Sequence, residues 1–163
     1  MIKIKKLPAN RWKDYRDLRL ESLKKDATAF GSSYEEEIKL SVSEWQKRTG
    51  NTLFALSDST PVGMIVYVFN NKIKIRHIAN IFGFYVKESY RNQGIGRKLI
   101  KNALLSIMKN KNIIKIDLTV NSKQSSAIKL YKKFGFRIVG VLSKDLFVDG
   151  KFYDELVMEK FIK

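Results

Sequence analysis

The chain has 163 residues, 44% hydrophobic and 29% charged, with a formal net charge of +16. That length and composition suit one domain with a real core and exclude a disordered tract. There is no cysteine, which excludes disulfides, thiolate metal sites and cysteine nucleophiles, and no apolar run approaches the roughly 18 residues of a membrane span.

The opening "MIKIKKLPAN" has too short an apolar stretch for a secretion signal, so a cytoplasmic location is expected. Its alternation of apolar and basic residues predicts a strand. "RWKDYRDLRLESLKKD" places Trp12, Tyr15, Leu18, Arg19 and Leu23 near helical spacing, an amphipathic helix ending before Ala27. "AFGSSYEEEIKL" is a Gly/Ser break and a short helix capped by Ser32 or Ser33. "SVSEWQKRTG" adds a helical turn, with Ser41 or Ser43 as cap and Gly50 as stop. Two strands follow, Leu53–Ser57 and Val62–Phe69, then a third predicted over 75–86. Residues 95–108 read as a helix whose shared face carries Ile95, Leu99, Ala103, Leu104, Ile107 and Met108. "IIKIDLTV" is a strand, "SSAIKLYKKF" a helix stopped at Gly135, and Asp149-Gly150 turns a final hairpin. The unit from Lys74 to Val120 should be a right-handed parallel crossover. The expected architecture is α/β: residues 1–163 as one domain, a mixed sheet of about seven strands with helices on both faces.

Charge is unevenly spread. Residues 87–137 carry 13 Lys/Arg against 2 Asp/Glu, whereas residues 14–44 carry 8 acidic and 5 basic side chains. A polarity of this kind suits an anionic cofactor on one side and a cationic substrate on the other. Solubility alone is the plainer reading, and a nucleic-acid partner the third. No helix-turn-helix, zinc finger or RNP-type aromatic motif supports the last.

"SYRNQGIGRKLI" joins the third strand to the helix at 95. Helix N-terminal N–H groups without acceptors, two glycines and arginines make a phosphate site, or else a tight turn with solvated arginines. Leu99 stands where a dinucleotide fingerprint needs a third glycine, and no Ser/Thr follows Lys98 as a P-loop requires. The remaining pattern, Arg91-x-x-Gly94-x-Gly96, combines with "LTVNSKQSSAIKLYKKFGF", in which Ala127, Ile128, Leu130, Tyr131, Gly135 and Phe136 form a second block. Together these resemble the GCN5-related N-acetyltransferase (GNAT) superfamily. The closing "VDGKFYDELVMEK" is similar to the last hairpin of many members, and "RLESLKKDATAFGSSYEEE" resembles the acceptor-side helices of one broad subgroup.

The resemblance implies a splayed parallel strand pair holding acetyl-CoA. The backbone of Phe84, Tyr85 and Val86 would bond the pantetheine arm. The loop Asn92, Gln93, Gly94, Ile95, Gly96 and Arg97 would wrap the pyrophosphate, helped by Arg91. Tyr131 would stand near the thioester sulfur, where a phenol pKa near 10 and a thiol pKa near 8.5 allow proton donation to the leaving thiolate. Gln124 occupies the place of the motif's asparagine, with Asn121 as a substitute; both are cofactor-binding candidates. Thr119 stands where several protein-N-terminus acetyltransferases carry a glutamate base, so His77, Glu88 or a water held by backbone carbonyls and Asn80 remain open for that role. Tyr34 and Glu35, in "YEEE", are candidates for binding a cationic acceptor, or else belong to a solvated helix start. The implied function is transfer of an acetyl group to a primary amine (small molecule, polyamine or peptide amine) by direct attack in a ternary complex. A silent acyl-CoA-binding module of the same fold is the alternative. No metal, membrane or nucleic acid is implied, and a homodimer rests on analogy alone.

Overall fold

The computed structural model describes residues 1–163. Its elements in chain order are β1 (Ile2–Lys6), α1 (Trp12–Lys25), α2 (Tyr34–Glu37), α3 (Val42–Thr49), β2 (Thr52–Ser57), β3 (Thr60–Phe69), β4 (Ile78–Val86), α4 (Ile95–Met108), β5 (Lys115–Asn121), α5 (Ser125–Lys133), β6 (Arg137–Val148) and β7 (Lys151–Phe161). All seven strands join one sheet in the order β1-β2-β3-β4-β5-β7-β6. Only β4 and β5 run parallel, with α4 as their crossover. No helix is long and apolar enough to cross a membrane.

Alternation along β2 explains why helices cover both faces. Leu53 and Ala55 enter the core that α4 seals with Leu99, Ile100, Ala103 and Ile107. Phe54 and Leu56 enter the opposite core, with Leu18 and Leu23 of α1 and Trp45 of α3. Ser33 and Ser41 are the helix caps among the candidates. Each forms a capping box, with Glu36 and Glu44 respectively.

Two expectations need correction. The third strand begins at Ile78 rather than 75, because Ile73–Ile75 is a 3-10 turn. Ile73 is 80% exposed there: the apolar alternation has no sheet face to bury. Met108, the last residue of α4, lies off the buried face and is 46% exposed.

The parallel pair positions the site. β4 and β5 share only three rungs, Ile78↔Lys115, Ala79↔Ile116 and Asn80↔Asp117, and then part. β4 stays bound to β3, but its register slips between the Met64 and Val66 rungs. Gly83 sits in that bulge with φ +62, a left-handed value natural to glycine. The bulge bends β4 away from β5 and leaves its Ile81–Val86 edge without β5 partners.

Candidate active site

The gap between β4 and β5 opens into a cavity of about 840 Å³. One side is built from two helix starts. Gly94 caps α4 in the left-handed region (φ 75), and no side chain bonds the helix's first turn. The first internal donor bond is Lys98 N–H to the Gly94 carbonyl, at 3.1 Å. The N–H groups of Ile95, Gly96 and Arg97 therefore have no acceptor within the helix. A Cβ at Gly96 would lie 3.0 Å from Phe84 Cζ and 3.2 Å from Leu130 Cδ2, so glycine lets α4 approach β4 and α5. Gln124 caps α5 without a side-chain bond and lines the cavity, as do Lys129 and Lys133. Two helix dipoles and several cations thus favour an anion on this side.

Tyr131 of α5 lines the cavity. Its ring packs 5.9 Å from that of Phe84 and 5.7 Å from that of Phe136. The residue is 5% exposed, and burial pushes its phenol well above the ordinary value. That burial suits the hydroxyl to donate a proton or hydrogen bond rather than to act as a base.

A model of the acetyltransferase (GNAT) family matches residues 12–136. The chain belongs to that family. An L-amino acid N-acetyltransferase of Escherichia coli, AaaT, is 28% identical to this GNAT chain over 121 residues, 71% of this chain and 74% of that one. A GNAT-family acetyltransferase from Streptococcus pneumoniae superposes with a TM-score of 0.88 at 24% identity, both chains covered in full. The Salmonella typhimurium protein YncA, solved with its cofactor acetyl-CoA, superposes at 0.80 and 13% identity, over 100% of this chain and 95% of that one. These two likenesses speak for the fold.

Most of the cofactor candidates meet at the cavity. Phe84, Tyr85, Val86, Arg91, Asn92, Gly94, Ile95, Gly96, Arg97, Gln124 and Tyr131 all line it. Arg91 is not a free cation there. Its Nη2 lies 2.6 Å from Asp26 Oδ2, and its Nε donates to the Val86 carbonyl at 2.9 Å. Arg97 is exposed and outside the ion pairs. Gln93 turns away, its amide donating to the Ser89 carbonyl. Asn121 is buried and occupied at both ends of its amide. It donates to the Thr28 carbonyl at 2.8 Å and accepts the Lys123 N–H at 2.9 Å, bracing the loop after α1 against β5.

The acceptor candidates fare differently. Tyr34 and Glu35 do not line the cavity. The Ser33–Glu36 capping box and the buried Glu37 orient α2 so that Glu35 faces solvent, and the Tyr34 ring lies under Lys24. Phe30, Gly31 and Ser32 form that wall instead, beside Arg19. Arg19 and Glu37 form a buried bidentate pair at 2.9 and 2.8 Å. Burial opposes ionisation of Glu37, but Arg19 and Arg48 outweigh it and hold the carboxyl below its ordinary range. His77 and Glu88 are also absent from the cavity; Asn80 lines a separate one of about 210 Å³ with Asp117 and Thr119.

Glu155 of β7 is a cavity residue that the sequence reading missed. No pattern in the sequence marks it: Glu155 shares its strand face with Val157 and Glu159, and only the β5–β7 register brings it to the cavity.

Proposed function

We propose that this chain transfers the acetyl group of acetyl-CoA to a primary amine by direct attack within one ternary complex. Family membership gives the reaction class, N-acetyl transfer, and the donor. The observation that supports this arrangement best is the parting of β4 from β5 beside two helix starts that lack side-chain cap bonds, with Tyr131 lining the cavity between them.

The residues present fit the donor. The acceptor-free N–H groups of Ile95, Gly96 and Arg97 suit a pyrophosphate, and Gly96 leaves backbone room beside it. The edge of β4 at Phe84, Tyr85 and Val86, free of β5 though Arg91 holds the Val86 carbonyl, suits the amides of an extended arm, bound as an added strand would be. Acetyl-CoA, when bound, supplies an acyl group activated as a thioester. Tyr131 donates its proton to the departing sulfur. Its raised pKa does not prevent this, because the same desolvation raises the proton affinity of a thiolate formed beside it. With no cysteine in the chain, the acyl group has no thiol carrier on the protein.

The test is thiol release from acetyl-CoA against a panel of L-amino acids, spermidine and peptides with free N-termini. Amine-dependent release, with no acetylated protein seen by mass spectrometry before amine is added, is expected. Micromolar acetyl-CoA binding without release for any amine would make the chain an acyl-CoA-binding module instead.

A further inference from the structure

An alkyl ammonium with a pKa near 10 is only about 0.1% neutral at pH 7, so attack by an amine needs a group that removes a proton inside the cavity. Two carboxylates line it, Asp26 and Glu155. Asp26 is already committed to Arg91, at 2.6 Å. Glu155 belongs to none of the chain's ion pairs. Tyr85 gives its hydroxyl proton to Glu21 at 3.0 Å, and Tyr131 is held in its donor form.

The local fold holds Glu155 in place. It pairs with Asn121 in the last rung between β5 and β7, and with Leu142 across β6. Between Leu142 and Leu146 the β6–β7 register slips. Lys144 takes φ 53 in that bulge and donates its N–H to Asp154 Oδ1 at 2.8 Å. The bulged segment carries Asp145, which stands near enough to act on the Glu155 carboxyl. Asp145 is the charged group that faces Glu155. Its other neighbours in the ladder, Asn121 and Leu142, are neutral.

We propose that Glu155 receives the ammonium group of the acceptor and takes its proton, with Asp145 as the positioning residue that tunes it. This rests on the acetyl-transfer reading of the same cavity. The balance is simple. The acceptor nitrogen gives one proton to the Glu155 carboxylate, the N–C bond forms as the C–S bond breaks, and the sulfur leaves with the Tyr131 proton. Water then carries the Glu155 proton to solvent, and the second proton that the nitrogen sheds on becoming an amide restores Tyr131. Burial pushes the Glu155 carboxyl above its ordinary value, and the nearby acid Asp145 adds to the shift, which brings the group toward the pH at which a base works best.

The sign of the pH dependence follows. The base form accumulates as pH rises, so kcat/KM should climb through the raised Glu155 pKa. Glu155→Gln should lower kcat at least about 100-fold at pH 7, leave the acetyl-CoA Kd unchanged, and replace that inflection with a rise set by the free amine. Asp145→Asn should move the inflection to lower pH while keeping most of the maximal rate. Carbon-13 NMR of side-chain-labelled glutamate gives a readout independent of turnover. The resonance absent in Glu155→Gln should titrate above the other carboxyls and fall in Asp145→Asn. An active native chain whose rate and pH profile survive Glu155→Gln would overturn this inference alone. A native chain that binds acetyl-CoA but acetylates no amine would overturn the acetyl-transfer reading, and this one with it.

Discussion

The proposed donor side and the proposed acceptor side of the cavity are assembled differently. The donor side comes from two short contiguous stretches, 84–97 and 124–133, and each turns directly into a helix start. The acceptor side is gathered from Arg19, Phe30–Ser32, Thr119 and Glu155, which meet only after the sheet has closed. A local construction depends on backbone conformation and on single side chains. A gathered one depends on the pairs that lock its segments together. Substitutions should therefore fail in different ways: loss of stability where a locking pair such as Arg19–Glu37 is broken, loss of binding or chemistry where a single side chain such as Tyr131 or Glu155 is removed.

The largest expected effect is on the acceptor side. Arg19→Met leaves Glu37 buried and opposite only Arg48, whose Nη1 is 3.4 Å away. Removing one partner of a buried pair costs about 3–5 kcal/mol, and the remaining arginine favours the low end. Denaturant unfolding should show this loss at pH 7. Because the folded Glu37 pKa is depressed, the pair's contribution is complete above the ordinary carboxylate pKa and fades as pH falls through the folded value. The gap between the native chain and Arg19→Met should narrow accordingly in acid. On the donor side, Tyr131→Phe keeps the ring that packs on Phe84 and Phe136. Stability should hold while kcat falls about 100-fold, equivalent to about 2.7 kcal/mol of barrier. If Tyr131→Phe unfolded the chain, or Arg19→Met cost activity alone, the contrast between the sides would break.

Backbone strain offers a smaller test of the local construction. Gly94 sits at φ 75 with open space where a Cβ would go. Gly94→Ala should cost about 1–2 kcal/mol through the left-handed backbone alone, and Gly94→Asn less, since asparagine tolerates that region. A thermal melt of both variants separates strain from crowding.

The same contrast explains what was legible in the sequence. Periodicity located α4 to the residue and the hairpin at Asp149-Gly150, where both residues take positive φ. Motif spacing pointed to the glycine loop and Tyr131, which the structure brings to one cavity, since a strand, turn and helix start in succession are a local affair. Glu155 and the Arg19–Glu37 pair were missed because no spacing links them to the loop. Their positions depend on the β5–β7 register and the β6 bulge. The "YEEE" run left two readings open for the same reason. Its composition announced an acidic mouth, but the capping box and the buried pair assign two of its three glutamates to structure.

The smallest effect lies where the two sides meet. Asp26 and Glu21 of the acceptor-side segment hold Arg91 and Lys87 of the donor loop, at 2.6 and 3.0 Å. Arg91 is 40% and Asp26 27% exposed in their side chains, so solvent screens the bond and its strength should stay below about 1 kcal/mol. The sign of the consequence is informative. If Asp26 competes with a bound pyrophosphate for Arg91, Asp26→Asn frees the guanidinium, and acetyl-CoA should bind up to about 5-fold tighter at low salt. That gain should disappear as ionic strength rises. If Arg91 acts instead as a strut, fixing the loop through its 2.9 Å bond to the Val86 carbonyl, Asp26→Asn should loosen the loop and weaken binding at every salt concentration. Calorimetric titration of acetyl-CoA into both forms at two ionic strengths distinguishes these outcomes. Competition is the expected one, because Nε holds the Val86 carbonyl without Asp26, and the loop keeps its anchor when the carboxylate is gone.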